Sequence, residues 1–199
     1  STNLANLYLE MGLYRKLENL FLEILNKRID SKGNTSSTLN NLGLLYQDQG
    51  NYIKAKDFLI KAMEIDKKRY GEISMEYSSS LNNLALNFVR QGKFKKAEPL
   101  YLQSIEIIER FKGNEDPSLA KRLNNLAVLY QNMGLFSKAE PLYMRSLEID
   151  EKSFGRNHPN TAISLNNLGL MYFLQGINNK AEPLLIESLN INKKFYGKY

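Results

Sequence analysis

The sequence predicts an all-α fold, a solenoid of stacked helix-turn-helix repeats. A phrase of Leu-Asn-Asn-Leu followed by Gly or Ala occurs four times at intervals of 42 residues, starting at Leu39, Leu81, Leu123 and Leu165. Single residues keep the same interval: glycines at Gly50, Gly92, Gly134 and Gly176, and alanines at Ala55, Ala97, Ala139 and Ala181. A fixed period of this length is typical of repeat proteins, in which each unit buries its apolar face against its neighbours.

The first helix of each unit, which we call helix A, contains the repeated phrase. In the third unit its apolar residues Leu81, Leu84, Ala85 and Phe88 recur with the spacing of one helical face. Gly92 follows shortly afterwards. Because glycine readily adopts the left-handed conformation that closes a helix, we expect the repeated glycines to end helix A.

The second helix, helix B, follows the glycine. In the third unit its periodic positions begin at Phe94 and include Ala97 and Ser104, two small residues that allow helices A and B to approach closely. The sequence also places three prolines, Pro99, Pro141 and Pro183, which we expect near the first turn of helix B, where a missing N–H is least harmful.

A degenerate first copy opens the chain. Leu4-Ala5-Asn6-Leu7-Tyr8 and Gly12 match the pattern, with a shortfall of four residues in the loop around Ser31–Asn34. At the other end the sequence stops where a further repeat would begin. We therefore expect the 199 residues to be a piece of a longer protein.

The small and large positions of this unit resemble those of a tetratricopeptide repeat. The longer period, together with Tyr-Gln-x-x-Gly, Lys-Ala-Glu-Pro-Leu-Tyr and Phe-Gly-Arg-Asn-His-Pro-Asn-Thr-Ala, is similar to the kinesin light chain type. The resemblance implies a right-handed superhelix. It predicts a single array of five repeats over residues 1–199, at about 1–35, 36–77, 78–119, 120–161 and 162–199.

The same resemblance implies that the helix A faces line a concave groove that binds peptides. Opposite the core stripe, helical geometry places one row of residues per repeat. From these rows we predict as groove residues Asn41, Asn83, Asn125, Asn167, Lys121, Arg90, Ser79, Leu86, Val128, Asn132 and Leu170. In the kinesin light chain family, the asparagine and a lysine one turn earlier contact cargo peptides. Only Lys121 matches that lysine, because Ser37, Ser79 and Ile163 occupy the equivalent positions.

The repeated asparagines allow two interpretations. An amide offers both donors and an acceptor, so a row of them could hold the backbone of an extended peptide. The same amides could instead hydrogen-bond between adjacent helices and fix the repeat geometry. The apolar residues of helix A in the fifth repeat also allow two interpretations. These are Ile163, Leu170, Phe173 and Leu174, which could be buried against a following repeat or form an anchor pocket for a partner.

Composition disfavours catalysis and nucleic-acid binding. The chain has no cysteine and one histidine, His158, so it lacks the means for a thiolate metal site or a histidine-based triad, and we assign His158 to loop or helix entry. We predict no catalytic residue, no metal and no cofactor. The net charge of +6 could steer an acidic partner. Most aromatic residues, such as Tyr46, Phe88, Tyr130 and Tyr172, are expected in the core, which argues against nucleic acid.

Two functions follow as hypotheses. The first is a protein–protein interaction module whose groove binds a protein or an extended peptide as a scaffold or sensor, and the net charge of the chain would suit an acidic one. The alternative is a structural segment that associates with itself or with further repeats through its ends. No apolar run is long enough to cross a membrane, and we expect a cytoplasmic protein.

Overall fold

The computed structural model describes residues 13–30 and 35–197, and within them the prediction of an all-α helical solenoid is confirmed. The described part contains nine α-helices, which we number in chain order: α1 Tyr14–Asp30, α2 Ser36–Asp48, α3 Tyr52–Tyr70, α4 Met75–Arg90, α5 Phe94–Lys112, α6 Pro117–Asn132, α7 Phe136–Phe154, α8 Pro159–Leu174 and α9 Asn178–Tyr196. The predicted first helix A at Leu4–Tyr8, Gly12 and the loop at Ser31–Asn34 lie outside the described residues.

The chain divides into two compact units. The described residues up to Leu100 belong to unit 1, and those from Tyr101 onward belong to unit 2. Unit 1 contains α1 to α4 and the start of α5, and unit 2 contains the rest of α5 and α6 to α9. In unit 1 the helices α1 to α4 each pack against the next one, and in unit 2 the helices α6 to α9 do the same. Helix A also meets the helix A that follows, as α2 does with α4 and α6 with α8. The single array of five repeats stays a prediction.

The repeated glycines end helix A as predicted. Gly50, Gly92, Gly134 and Gly176 have φ between 69° and 74°, in the region that favours glycine. The residue after each glycine donates a backbone hydrogen bond back into helix A, for example from Asn51 N to Tyr46 O at 2.8 Å. This closing bond is characteristic of a Schellman turn and sets where helix B starts.

Small residues allow helices A and B of one repeat to lie close together. Ala55, Ala139 and Ala181 are buried. A Cβ on Gly43 would come within 2.5 Å of Leu59 Cγ, so this position has no room for alanine. The buried serines contribute more than small size, since Ser146 Oγ donates to the Ala120 carbonyl at 2.9 Å.

The prolines lie one turn later than expected. Pro99, Pro141 and Pro183 are each the sixth residue of helix B, in its second turn. An N–H at that position would bond within the helix, so the argument from a missing first-turn donor was wrong.

Tyrosines of helix A connect neighbouring repeats. Tyr46, Tyr130 and Tyr172 are buried as predicted, while Phe88 is half-buried. Tyr172 Oη donates to Glu140 Oε1 of the preceding repeat at 2.5 Å, and Lys180 Nζ lies 4.8 Å from the centre of the Tyr172 ring. Burial, followed by this hydrogen bond and the charge of Glu140, raises the pKa of Tyr172 to about 12.

Candidate binding site

The predicted row follows one side of helix A, and the structure places its members at two depths. The four asparagines are half-buried, as are Ser79, Leu86 and Val128, whereas the residues toward the helix ends and Leu170 are exposed. The half-buried members are Asn41, Asn83, Asn125, Asn167, Ser79, Leu86 and Val128, and the exposed ones are Lys121, Arg90, Asn132 and Leu170.

Unit 2 contains a pocket of about 570 Å³ between its two A helices and the helix B that separates them. Lys121 and Asn125, both predicted as groove residues, line it from α6. Ile163 lines it from α8 and is 56% exposed. The structure therefore brings together a cation, an amide and an apolar side chain at one concave place.

The α6 side of the pocket depends on how that helix begins. Asp116 caps α6, with its Oδ1 accepting from Ser118 N at 2.9 Å, and Pro117 follows at the first helical position. Arg122 lies one turn further and also lines the pocket. It is only 8% exposed, and its Nη1 donates to the Ser118 carbonyl at 3.2 Å. Burial lowers the pKa of Arg122, while the charge of Asp116 opposes that effect.

The α7 side supplies a buried carboxylate. Asp150 Oδ2 accepts a hydrogen bond from Ser164 Oγ at 2.6 Å, and Ser164 also lies 3.4 Å from Ser146 Oγ. Burial raises the pKa of Asp150, against the opposing effects of the Ser164 hydrogen bond and the charge of His158. The pocket therefore contains both signs of charge, with the cations on α6 and the carboxylate on α7.

A second pocket, of about 290 Å³, occupies the equivalent place in unit 1. Each of its key residues lies 84 positions before a residue of the unit 2 pocket: Ser37 corresponds to Lys121, Asn40 to Asn124, Asp66 to Asp150, Glu76 to Asn160 and Ser79 to Ile163. The predicted groove residue Ser79 thus also lines a pocket. The repeat places the two pockets at the same point of the fold, but their charges differ.

Asparagines connect neighbouring A helices within each unit. Asn167 Nδ2 donates to Asn124 Oδ1 at 2.9 Å, and Asn83 Nδ2 donates to Asn40 Oδ1 at 3.3 Å. In both pairs the second asparagine of one repeat meets the first asparagine of the preceding repeat. This arrangement agrees with the interpretation that these amides fix the repeat geometry, and it engages one amide hydrogen of Asn83 and of Asn167.

Sequence reasoning missed several residues of the unit 2 pocket. Arg122, Asp150, Asn160 and Ser164 line it but were not predicted. For Arg122 a signal existed, because the other repeats carry Thr38, Ser80 and Ser164 at its position. A large cation in a column of small hydroxyl residues marks the fourth repeat as different.

The single histidine has the role expected at a helix entry. His158 caps α8, with Nδ1 accepting from Asn160 N at 3.1 Å. Its ring stacks on Phe154 with the ring centres 4.7 Å apart. Among residues 13–30 and 35–197, none of the helices combines the length and apolar character that a membrane crossing requires.

Comparison with known proteins agrees with the helical repeat architecture. The tetratricopeptide repeat model matches residues 1–68, 34–110 and 118–194. The chain belongs to the tetratricopeptide repeat family, and its repeats resemble those of the kinesin light chain type. No curated protein sequence matches the chain.

Solved structures show the same fold. BtubC (BKLC) from P. vanneervenii is 29% identical with a TM-score of 0.83, and the match covers 98% of this chain and 80% of that one. A P. anserina protein described as a kinesin light chain with nearly identical repeats is 22% identical, with a TM-score of 0.77 and coverage of 96% and 93%. MamA is 18% identical, with a TM-score of 0.62 and coverage of 96% and 95%.

Proposed function

We propose that this chain is a protein-interaction module whose helix A faces bind an extended segment of a partner protein. Tetratricopeptide repeat proteins generally mediate protein–protein interactions. The observation that carries the proposal is the unit 2 pocket, which has Lys121 at an exposed position and Arg122 in its wall. We assign to this pocket an acidic side chain of the partner, because two cations line it from one helix.

The neighbouring side chains suit the rest of such a segment. Asn125 offers an amide that can bind a peptide backbone regardless of its sequence. Ile163 offers an exposed apolar surface beside the charged group. The resemblance to kinesin light chains supports the assignment of Lys121 and Asn125, since a lysine and an asparagine at these positions contact cargo peptides in that family.

The other predicted groove residues extend the proposed contact surface along each unit. In unit 2 these are Val128, Asn132, Asn167 and Leu170, and in unit 1 they are Asn41, Ser79, Asn83, Leu86 and Arg90. Asn83 and Asn167 would use the hydrogen-bonding capacity that remains beside their inter-repeat bonds. We infer a scaffold or sensor without catalytic activity, and we propose the cytoplasm as its compartment.

The test is selection of peptides on the purified chain followed by affinity measurements. Phage-displayed peptides are selected, synthesised with a fluorophore and titrated by fluorescence anisotropy. We expect acidic peptides whose affinity falls about tenfold in Lys121→Ser, a change of about 1.4 kcal/mol that suits a charge-assisted contact. Serine is the residue that repeats 2 and 3 carry at this position.

The matched control is Lys95→Ser, which removes an exposed lysine from helix α5 and leaves the net charge equal to that of the test variant. Affinity should also fall with salt more steeply for the native chain than for Lys121→Ser. Equal losses of affinity in the two variants would show that the change in net charge causes the effect. Selected peptides without acidic residues would contradict the assigned ligand.

Self-association is a second candidate, favoured by the apolar surface of the fifth repeat. Leu147 of α7 packs against the core residues Ala162, Leu165 and Ile191 of that repeat. Its equivalent 42 residues later, Leu189 of α9, is 52% exposed. The exposed surface also includes Ile163, Leu170, Phe173, Leu174 and Ile186.

A second copy of the chain, or a further repeat, would cover this surface. Sedimentation equilibrium over a wide concentration range tests the first possibility. A mass that increases with concentration in the native chain, and stays monomeric in Leu189→Lys, would support self-association. A constant monomer mass would exclude it.

A further inference from the structure

Asp66 is a buried carboxylate with one oxygen that no described residue satisfies. The side chain is 2% exposed. Its Oδ2 accepts from Ser80 Oγ at 2.6 Å, and Ser80 in turn accepts from Asn40 Nδ2 at 2.8 Å. Oδ1 is buried and has no hydrogen-bond partner among the described residues. Buried charged groups are normally paired, so this oxygen requires an explanation.

The pocket that Asp66 lines contains acceptors on several sides. Glu76, in the first turn of α4, adds a second carboxylate at an exposed position. Ser37 and Asn40 line it from α2, and the Met75 side chain supplies an apolar surface. A ligand in this pocket would therefore meet two negative charges, polar groups and a methyl group. A cationic side chain with an aliphatic stem has the matching chemistry.

The equivalent pocket of unit 2 carries its own cations. Where unit 1 has Ser37 and Thr38, unit 2 has Lys121 and Arg122, and Asn160 replaces Glu76. The buried aspartate is common to both, as Asp66 and Asp150. Unit 1 therefore keeps the carboxylate of the repeat, adds another, and has hydroxyl residues at the two positions that carry positive charges in unit 2.

We propose that the unit 1 pocket is a receptor for a lysine or arginine side chain of the bound protein segment. The ammonium or guanidinium group donates to Asp66 Oδ1 and pairs with the Glu76 carboxylate, while its methylenes contact Met75. An ion pair with hydrogen bonds compensates the burial of Asp66, which an apolar ligand would not do. Within the described residues no group of three or more histidine, cysteine or acidic side chains could hold a metal ion.

This inference rests on the proposed function only in taking the ligand to be a protein side chain. The two pockets can be tested separately, because the unit 1 assay uses a small probe and needs no partner. The probe is acetyl-arginine methylamide, and its uncharged control is acetyl-citrulline methylamide, which has nearly the same shape. Binding is followed by NMR of the protein with carbon-13 in its methionine methyl groups.

We expect the arginine probe to shift the Met75 methyl signal in a saturable way, with weak affinity in the millimolar range. The citrulline probe should leave it unchanged, and Met171, which is buried in α8, should not respond to either. Ser37→Lys installs the unit 2 cation at an exposed position and should reduce the affinity at least tenfold. Asp66→Asn should do the same, while its side-chain oxygen can still accept from Ser80.

Asp150→Asn is the matched control, because it changes the equivalent carboxylate of unit 2 and should leave probe binding intact. Circular dichroism verifies that each variant is folded. If Asp66→Asn does not fold, the probe affinity of Ser37→Lys decides the result. Equal shifts with the two probes, no shift with arginine, or unchanged binding in Ser37→Lys would overturn the proposal. Acidic peptides that require Lys121, found together with an arginine probe that does not bind, would refute this inference alone. An arginine probe that binds as expected, found together with selected peptides that do not require Lys121, would refute only the unit 2 assignment.

Discussion

Replacing Asn167 by alanine tests whether the repeated asparagines hold neighbouring repeats together. The substitution removes the hydrogen bond from Asn167 Nδ2 to Asn124 Oδ1, 2.9 Å long, which joins α8 to α6. If this bond stabilises the packing of the two A helices, its loss should lower the free energy of unfolding of unit 2. If the Asn167 amide serves only to bind a ligand, the effect of its loss on the free energy of unfolding should not depend on the presence of Asn124.

The magnitude follows from the partial burial of both side chains. A neutral hydrogen bond contributes about 0.5–1.5 kcal/mol net. Asn124 lines the unit 2 pocket, so water can reach its oxygen when the partner is removed, and the additional penalty is small. Alanine also has a higher helix propensity than asparagine, by about 0.5 kcal/mol. A single variant is therefore expected to lose only about 0.5 kcal/mol, too little to decide the question.

A double-mutant cycle cancels the propensity effect. Asn167→Ala, Asn124→Ala and the double variant are compared with the native chain by urea denaturation, with the slope of each curve compared before free energies are extracted. We expect the double variant to be about 1 kcal/mol more stable than additivity predicts. The pair Asn83 and Asn40, at 3.3 Å, should show a smaller coupling. Additive effects at Asn124 and Asn167, within about 0.3 kcal/mol, would refute the structural role.

Two further predictions concern packing and ionisation. Gly43→Ala should lower the free energy of unfolding, because the new Cβ would come within 2.5 Å of Leu59 Cγ. Overpacking costs about 1–3 kcal/mol, and so short a contact belongs to the upper part of that range, above the gain of about 1 kcal/mol in helix propensity. An equal or higher urea midpoint would contradict this. Tyr172 should titrate near pH 12 by NMR of its ring carbons, and since its pKa is raised in the folded state, its contribution to stability is complete below about pH 10 and is lost as the pH rises toward 12. Tyr172→Phe should reduce the fall in stability across that interval, and an equal fall in both proteins would show that other groups cause it.

Most of the fold could be predicted from the sequence because the period repeats every local determinant. Glycine occupies the position of Gly92 in each of these turns, since a residue that tolerates positive φ is needed to close helix A there. Ala139 and Ala181 recur where two helices meet closely. The exact position of a proline was less secure: apolar spacing indicates that a helix exists but not which residue begins it, and Pro99 therefore lies a turn deeper than expected.

The candidate site was predicted only in part. Helical geometry placed Lys121 and Asn125 on the side of α6 that lines the unit 2 pocket, since both belong to the same row of one helix. Helical geometry could not place Arg122 in the pocket, because Arg122 belongs to an adjacent row of the helix. It lines the pocket because its side chain is long. Asp150 and Asn160 come from other helices, and their distance from α6 depends on how three helices pack.

The sequence by itself therefore determined the repeat, its helices, its turns and its main core positions, all of which depend on interactions within about one turn of helix or on a strictly repeated residue. Only the tertiary structure decided that Asn167 meets Asn124, that one buried oxygen of Asp66 has no partner among the described residues, and that equivalent pockets carry different charges. These features join residues that are far apart in the chain. Their geometry is set by the angle and distance between packed helices, which a single sequence does not specify residue by residue.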